Sequence, residues 1–428
     1  MNRAAYIVSA VRTPIGKFGG GLAELTAADL GVIAVRAALA RAFGEAPPER
    51  KPGQVQGALA GHDPSPAAGG LRASELIFGN ARGAGVGPNV ARQIAWRAGL
   101  GDEVPAFTVN MACASSLRAL ILAWRQIQLG EAEIVVAGGA ESMSRVPYLL
   151  EARWGLKMGH QPLVDAMYRD GFLCPMSQMV MGETAEVLAE QYKISRDAQD
   201  RYALESHQRA ARAAAECRFG EEIVPVERTD KKGNAVRIEK DEHVRPDVTL
   251  EGLNKLPPVF SKAGTITAGN SSGITDGAAA LVVVSEAKLA ELKLQPLARI
   301  VDATVAAVDP RVMGIGPVPA VRKLTERTGW KVGDYDAIEL NEAFAAQVLA
   351  CDRELHFDRQ KLNPNGGAIA LGHPIGATGA RITTTLIHEL RRGGAAAGKP
   401  FGSAQGKRGL ATLCVSGGMG VALALETT

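Results

Sequence analysis

The chain has 428 residues, of which 46% are hydrophobic, and its formal net charge is +3 at pH 7. This length and composition can bury the cores of two or three domain-sized units. The small net charge, and the lack of a Lys/Arg block with interleaved aromatic residues, argue against a nucleic-acid partner. No apolar run approaches the length of a membrane span, and the N-terminus fits neither a signal peptide nor a transit peptide. We therefore expect a cytoplasmic protein without membrane insertion.

The cysteines give a second indication of the compartment. There are five of them, an odd number without paired spacing, which favours a reducing environment over a disulfide framework. Neither a Cys-x-x-Cys nor a His-Glu-x-x-His arrangement occurs, so we expect no metal site.

The N-terminal part of the chain alternates predicted strands and helices. Thr26 is a plausible helix N-cap, and residues 45–70, rich in Pro, Gly and Ala, predict a surface insertion. In chain order, the predicted elements are a strand over 5–11, a helix over 22–43, a strand over 75–79 and a helix over 89–98.

The next stretch places a cysteine at a strand-to-helix turn. A short apolar strand over 104–109 precedes Cys113, and a helix over 117–129 follows it until Gly130, with another strand over 133–139. Free backbone N–H groups and the helix dipole at such a turn lower a thiol pKa and favour the nucleophilic thiolate. The alternative is a small buried structural cysteine.

Between about 145 and 265 the alternation of strands and helices is broken. This stretch holds a Met-rich irregular segment at 176–182, a long polar helix over 195–218 and a charged run over 230–245. We interpret it as an excursion packed over a core that resumes at 278–284.

The second half of the chain repeats the pattern found around Cys113. His373 leads into a predicted helix over 378–392, and a strand over 411–415 follows a Gly-rich insertion at 393–407. One helix start carries a cysteine and its counterpart a histidine. This pattern predicts a duplicated α/β unit whose halves face each other across a pseudo-twofold axis, with reactive groups converging at the interface.

Three further polar groups complete the candidate site. His373 could take the proton of a Cys113 nucleophile. Cys414 ends a predicted core strand, where a structural cysteine is the default, but the Gly-rich turn after it exposes backbone N–H groups. Asn341 lies between a strand over 337–340 and a helix, and N-capping alone could explain it.

Together and in this order, these stretches resemble the thiolase family. The matching motifs are Cys113 in its turn, Asn-Glu-Ala-Phe-Ala at 341–345, Gly-His-Pro-Ile-Gly at 372–376 and Cys-x-x-Gly-Gly-x-Gly at 414–420. The resemblance extends over nearly the whole chain, and only residues 45–70 and 398–407 look like insertions.

The resemblance implies an α/β protein with a duplicated five-layer αβαβα fold. The N-terminal half would be residues 1–285, with a loop domain of about 145–265 inserted, and the C-terminal half residues 286–428. Members of the family usually form homodimers or homotetramers.

It also implies reversible Claisen chemistry on acyl-CoA thioesters, with coenzyme A or acetyl-CoA as co-substrate and no metal or other cofactor. By motif position, Cys113 would attack the acyl carbonyl and hold the acyl group as a thioester. His373 would activate that thiol and help to bind the thioester oxygen. Cys414 would be the acid and base that exchanges the α-proton of acetyl-CoA.

The remaining site residues follow from the same resemblance. Asn341 would position a water in one oxyanion hole, and the backbone N–H groups of Cys113 and Ser416 would form the other. The implied coenzyme A contacts are Ser272 near the pantetheine, Arg245 near the phosphates, and Met313 and Phe344 lining the pocket. Arg245 could equally be a solvated charge, and Phe344 a plain core residue.

Two positions depart from the family pattern. Ser416 stands where members commonly have Gly, which should be harmless because the role belongs to a backbone N–H. Val180 stands where short-chain biosynthetic members have a histidine, which leaves open whether the substrate is acetoacetyl-CoA alone or a range of 3-ketoacyl-CoA chains.

The alternatives to a thiolase are a decarboxylating ketosynthase and a non-catalytic lipid-carrying relative. The former uses a second histidine where this chain has Asn341 and Cys414, and the latter should lack one of the three reactive residues.

Overall fold

The computed structural model describes residues 3–51, 73–229, 232–392 and 406–427. Most of the two predicted insertions, 45–70 and 398–407, lies outside these ranges. The strands are β1 (Ala5–Arg12), β2 (Gly16–Lys17), β3 (Glu75–Gly79), β4 (Ala106–Val109), β5 (Ile134–Ser142), β6 (Tyr148–Leu149), β7 (Val164–Asp165), β8 (Val226–Thr229), β9 (Ala235–Ile238), β10 (Thr275–Ser285), β11 (Ala298–Ala307), β12 (Ala337–Leu340), β13 (Arg408–Val415) and β14 (Met419–Thr427). The helices are α1 (Ala27–Phe43), α2 (Val90–Arg97), α3 (Ser115–Leu129), α4 (Met181–Gln191), α5 (Arg196–Ala215), α6 (Leu250–Asn254), α7 (Glu286–Glu291), α8 (Pro317–Thr328), α9 (Ala345–Leu355), α10 (Ala368–Leu371) and α11 (Thr378–Arg392).

The main sheet is made of two half-sheets joined edge to edge. Its strand order is β12-β13-β14-β11-β1-β10-β5-β3-β4, with the short β2 paired to β10. The halves meet where β1 and β11 pair antiparallel through only two residue pairs, Tyr6 with Arg299 and Ile7 with Ala298. Because this junction is so short, each half-sheet packs against its own set of helices.

The two half-sheets share one topology. In the first, β3 runs parallel to β5, which is antiparallel to β10, which is antiparallel to β1. In the second, β12, β13, β14 and β11 follow the same order and the same directions. The counterpart of β4 is reduced to a parallel bridge between Ile338 and Leu362. The duplicated unit predicted from the sequence is therefore visible strand by strand.

Five layers result from the way the helices cover the half-sheets. α3 and α11 lie between the two sheets, where Leu120 and Ile387 share one core with Val135 and Leu423. α1 and α2 cover the outer face of the first half-sheet, and α8 and α9 that of the second. Because both faces of each sheet are covered, central strands such as β10 are buried at every residue. This is the αβαβα fold expected from the sequence.

The first helix begins later than predicted. Residue 22 was the expected start, but α1 begins at Ala27, after Thr26. The Thr26 side chain accepts a hydrogen bond from the Asp29 N–H at 3.1 Å, and the Asp29 carboxylate accepts one from the Thr26 N–H at 2.8 Å. This reciprocal cap fixes the start, because it satisfies two N–H groups that the helix leaves free.

The stretch from about 145 to 265, in which the alternation of strands and helices is broken, packs against the core. It contains α4, α5, α6 and two small hairpins, β6–β7 and β8–β9. Buried Arg12, at the end of β1, donates to Glu222 at 2.6 Å and to Asp241 at 2.7 Å, and so ties this stretch to the core. In the part of the chain that the structure describes, no helix is long and apolar enough to cross a membrane.

Candidate active site

Cys113 lies in a strained turn between β4 and α3. It belongs to a short 3₁₀ turn over Ala112–Ala114, and Ala112 has a φ of +45°. Left-handed backbone is costly for alanine, so the turn must be held by its surroundings. The Ser115 hydroxyl accepts a hydrogen bond from the Met111 N–H at 3.0 Å and donates to the Ala112 carbonyl at 2.7 Å. These bonds fix the direction of the Cys113 side chain.

The environment of the Cys113 thiol corrects one prediction. Burial raises its pKa, although the backbone N–H groups of Ser416 and of Cys113 itself and the charge of Arg82 act in the opposite direction. The predicted lowering at the helix start was therefore wrong in its net direction, because desolvation of the thiolate outweighs the hydrogen bonds and charges that favour it. The resting group is a thiol that needs a base.

His373 is a neutral base with a fixed tautomer. Its Nδ1 lies 2.6 Å from the hydroxyl oxygen of Thr378, and that hydroxyl donates to the Pro374 carbonyl at 3.0 Å. The hydroxyl proton is thus used, so Nδ1 donates its own and Nε2 keeps a free lone pair. Burial, together with the charges of Arg381 and Arg82, lowers the pKa of His373 to about 3. At neutral pH the ring can accept a proton only through Nε2.

Asn341 contacts that same nitrogen. It follows β12 directly, its side chain is 1% exposed, and Nδ2 lies 3.5 Å from Nε2 of His373. It does not cap a helix, since α9 begins after Phe344. Among the described residues, Oδ1 of Asn341 has no hydrogen-bond partner. Capping, the simpler explanation for this residue, is thereby removed.

Cys414 is buried near the end of β13, where it faces Gly420 of β14. Burial and the neighbouring Cys113 raise its pKa well above the usual value. It is therefore a protonated thiol at neutral pH, suited to give a proton to a strong base and to take it back.

Two buried carboxylates hold the loops of the site in place. Glu141 accepts hydrogen bonds from the side chain of Asn80 at 2.9 Å and from the backbone N–H groups of Ala81, Arg82 and Gly376 at 3.0, 3.1 and 2.8 Å. It thus joins the end of β3 to the loop that carries His373.

Glu342 plays the equivalent part on the other side. It accepts from Tyr202 at 2.8 Å, Ser206 at 2.7 Å, Asn363 at 3.0 Å and the Ile369 N–H at 3.1 Å. The glutamate of the Asn-Glu pair therefore joins α5 to α10, a positioning role that the sequence reasoning did not identify.

Most of the predicted site residues surround one cavity of about 670 Å³. Its walls include eight of the residues predicted for the site. They are Cys113, His373, Cys414, Ser416, Ser272, Arg245, Met313 and Phe344. The ninth, Asn341, contacts Nε2 of His373 at 3.5 Å, so the structure brings every predicted site residue together.

The predicted coenzyme A contacts differ in burial. Met313 and Phe344 are buried in one apolar cluster with Cys414, and Phe260 meets Phe344 edge to face at 6.3 Å between ring centres. Phe344 is thus both a core residue and part of the cavity wall. Arg245 is exposed. The Ser272 N–H donates to the Ala343 carbonyl at 3.0 Å.

The two departures from the family pattern also lie on the cavity wall. Ser416 does not have a positive φ, which Gly417 and Gly418 adopt instead at +91° and +84°. A serine is therefore tolerated there without backbone strain. Val180 precedes α4, and its N–H donates to Glu183 at 2.8 Å. Its side chain adds apolar surface to the cavity.

The wall residues that were not identified from the sequence include Arg82, Tyr168, Phe172 and His243. The available signal for Arg82 was positional, since it comes third after the strand β3, as Ala343 of the Asn-Glu-Ala-Phe-Ala motif comes third after β12. Within the described ranges, no group of three or more His, Cys, Asp or Glu side chains is arranged to hold a metal ion.

Comparison with known proteins agrees with this arrangement of paired halves and facing reactive groups. The family model for the thiolase N-terminal domain matches residues 71–287, and that for the thiolase C-terminal domain matches residues 294–427. The chain belongs to the thiolase family.

Full-length relatives define the class further. The sequence is 48% identical over 421 residues to acetyl-CoA acetyltransferase of Cupriavidus necator, covering 98% of each chain. The structure is similar to that of Bacillus anthracis acetyl-CoA acetyltransferase, with a TM-score of 0.88, 43% identity and coverage of 100% of this chain and 99% of that one. It is also similar to human mitochondrial 3-ketoacyl-CoA thiolase in complex with CoA, with a TM-score of 0.87, 39% identity and coverage of 100% and 98%. The chain is an acyltransferase with thiolase activity.

Proposed function

We propose that this thiolase cleaves 3-ketoacyl-CoA with coenzyme A, and in reverse condenses acetyl-CoA with acyl-CoA, through an acyl thioester on Cys113. The observation that carries this proposal is that Cys113, His373 and Cys414 face one cavity, while the backbone N–H groups of Ser416 and Cys113 act to lower the pKa of the Cys113 thiol. No metal or other cofactor takes part in the proposed reaction, and coenzyme A enters as a co-substrate.

The first step uses the lone pair on Nε2 of His373. This nitrogen takes the proton of the Cys113 thiol as the sulfur attacks the ketone carbon of the substrate. The N–H groups of Cys113 and Ser416 then stabilise the developing oxyanion, an interaction in which each donor is worth about 3 to 4 kcal/mol. Because the thiol pKa is raised by burial, proton transfer to His373 accompanies attack instead of preceding it.

The second step breaks the carbon–carbon bond. The leaving group is the enolate of acetyl-CoA, whose oxygen would be held by Nε2–H of protonated His373 and by a water on Asn341. Cys414 gives its proton to the enolate carbon, and acetyl-CoA departs. An incoming coenzyme A thiol then loses its proton to Cys414 and attacks the thioester, and Cys113 leaves and recovers its proton from His373.

Substrate contacts follow from the cavity wall. We infer that Ser272 lies along the pantetheine, that Met313 and Phe344 line its channel, and that exposed Arg245 meets the phosphates. The apolar Val180 favours a range of 3-ketoacyl chains over acetoacetyl-CoA alone, as in degradative fatty acid metabolism (β-oxidation). The proposal also includes a cytoplasmic homodimer or homotetramer, and the division into halves 1–285 and 286–428 with a loop domain at about 145–265.

The test is coenzyme A-dependent thiolysis of a 3-ketoacyl-CoA series from four carbons upward, with kcat/KM compared across chain length. A flat or rising profile supports the broad range, and a sharp fall beyond four carbons restricts the enzyme to acetoacetyl-CoA in spite of Val180. No turnover at any length would refute the proposed reaction.

A decarboxylating ketosynthase is the main competitor. It would consume malonyl thioesters with release of carbon dioxide, and the same preparation can be tested for this. Asn341 and Cys414 favour the thiolase reaction, because Cys414 supplies the proton exchange that a decarboxylating mechanism does not need. A non-catalytic relative is disfavoured by the presence of all three reactive groups in one cavity.

A further inference from the structure

Arg82 is a buried cation that no side chain of the described residues neutralises directly. It is 7% exposed and lines the cavity that holds Cys113. Within the described residues its guanidinium makes no hydrogen bond or ion pair, and its buried Nε has no partner. An unpaired buried guanidinium is unfavourable unless an anion completes the site.

The nearby carboxylates are already occupied. Glu141 is close enough for the charge of Arg82 to act on it, but its oxygens accept four other hydrogen bonds. Both oxygens of Asp170 are held by Arg169, at 2.7 and 3.0 Å. The guanidinium of Arg82 lies over the ring of Phe172, 5.8 Å from the ring centre. That contact orients the cation and leaves its N–H groups free.

The position of Arg82 assigns it to the acyl side of the cavity. Phe172 packs in the same apolar cluster as Cys113, Ala81 and Ile375, whereas Met313 and Phe344 pack with Cys414. The charge of Arg82 also acts on the Cys113 thiol. An acyl group bound to Cys113 would therefore have Arg82 and Phe172 as neighbours, away from the residues inferred to bind coenzyme A.

The symmetry of the fold supports the same orientation. Arg82 comes third after the end of β3, and Ala343 comes third after the end of the equivalent strand β12. Both residues line the cavity. The position faces the substrate from both halves, and only the first half carries a charge there.

We propose that Arg82 binds a carboxylate at the far end of the acyl chain, so that the substrates include short 3-ketoacyl-CoA thioesters with a terminal carboxylate. A guanidinium pairs with a carboxylate through two parallel N–H···O bonds, and burial of the guanidinium strengthens such a pair. This inference rests on the proposed thiolysis. Cys113 attacks the ketone, the bond to the acetyl-CoA unit breaks with proton transfer from Cys414, and the carboxylated acyl group stays on Cys113 until coenzyme A removes it.

The test compares two six-carbon 3-ketoacyl-CoA substrates that differ only at the far end, one a carboxylate and the other a methyl group. We expect the wild-type enzyme to cleave the carboxylate substrate with at least about tenfold higher kcat/KM, since a site built for a polar group discriminates against an analogue that lacks it. This comparison needs no variant to fold.

Variants then assign the effect to the side chain. Arg82→Met should lower kcat/KM for the carboxylate substrate about 100-fold more than kcat/KM for the methyl substrate, with Arg82→Lys in between. Arg145→Met is the matched control, because Arg145 lines a neighbouring cavity with Arg82 but not the catalytic one, and it should change neither rate.

The outcomes separate the two hypotheses. Cleavage of the methyl substrate only, or an equal loss on both substrates in Arg82→Met, would overturn the role of Arg82 while the thiolase reaction stands. Turnover of neither substrate by the wild-type enzyme would refute the reaction itself.

Discussion

Replacing Thr378 by valine tests whether the tautomer of His373 controls reactivity. Valine keeps the shape of threonine and removes only the hydroxyl. That hydroxyl accepts the Nδ1 proton of His373 at 2.6 Å and is itself fixed by the Pro374 carbonyl at 3.0 Å. Without it, the ring either leaves a buried N–H without a partner or moves its proton to Nε2. In the second case Nε2 can no longer accept the proton of Cys113.

The magnitude follows from the cost of a buried donor without a partner, which is about 1 to 3 kcal/mol. Since a tenfold change in rate corresponds to about 1.4 kcal/mol, kcat/KM should fall about 5- to 150-fold. The effect should fall mainly on kcat, because the hydroxyl acts through His373 and not on the bound substrate.

The assay is the initial rate of thiolysis at saturating and limiting 3-ketoacyl-CoA, with Thr378→Ser as the control that restores the hydroxyl. We expect the serine variant to remain within about threefold of the wild type, since it keeps both hydrogen bonds. A valine variant as active as the wild type, or a serine variant as impaired as valine, would refute the assigned tautomer.

Three further predictions concern the two cysteines. Cys113→Ala should lower thiolysis at least about 1,000-fold while the thermal unfolding midpoint stays unchanged, because alanine keeps Cβ and removes only the sulfur atom; retained activity would contradict the assignment. Cys414→Ala should abolish condensation yet still gain an acetyl group on Cys113 from acetyl-CoA, which intact-protein mass spectrometry would detect. Because burial raises the pKa of Cys113, its alkylation rate in the Cys414→Ala background should keep rising above pH 9, and a plateau by pH 7 would show a resting thiolate.

The elements that carry the chemistry were predictable because local sequence determines them. The strand predicted over 337–340 is β12, and the helix predicted over 378–392 is α11. Both have apolar patterns that end at polar or glycine residues, so their secondary structure depends little on tertiary packing. In the stretch 145–265, the helix predicted over 195–218 is α5. The other segments gave no such signal, since they are held by contacts with the sheets, such as those of Arg12 with Glu222.

The protonation states of the site residues were less predictable than the identity of those residues. Motifs named the residues, but the direction of the Cys113 pKa depends on how deeply the neighbouring loops bury the thiol, which no local pattern contains. The same holds for Arg82, which the sequence does not distinguish from the other arginines. Its inferred role follows from burial without a partner among the described residues, and this is a property of the assembled fold.

The duplication explains why the sequence predicted which residues form the site and why it did not predict the role of each. An asparagine follows each of two equivalent strands, Asn80 after β3 and Asn341 after β12. Asn80 donates to Glu141 and the Ala140 carbonyl, while Asn341 approaches His373. The shared fold thus places an asparagine at the same position in both halves, and its neighbours decide whether it supports a loop or contacts a reactive side chain. Symmetry therefore predicts which positions meet the substrate, whereas their chemistry must be determined from each half separately.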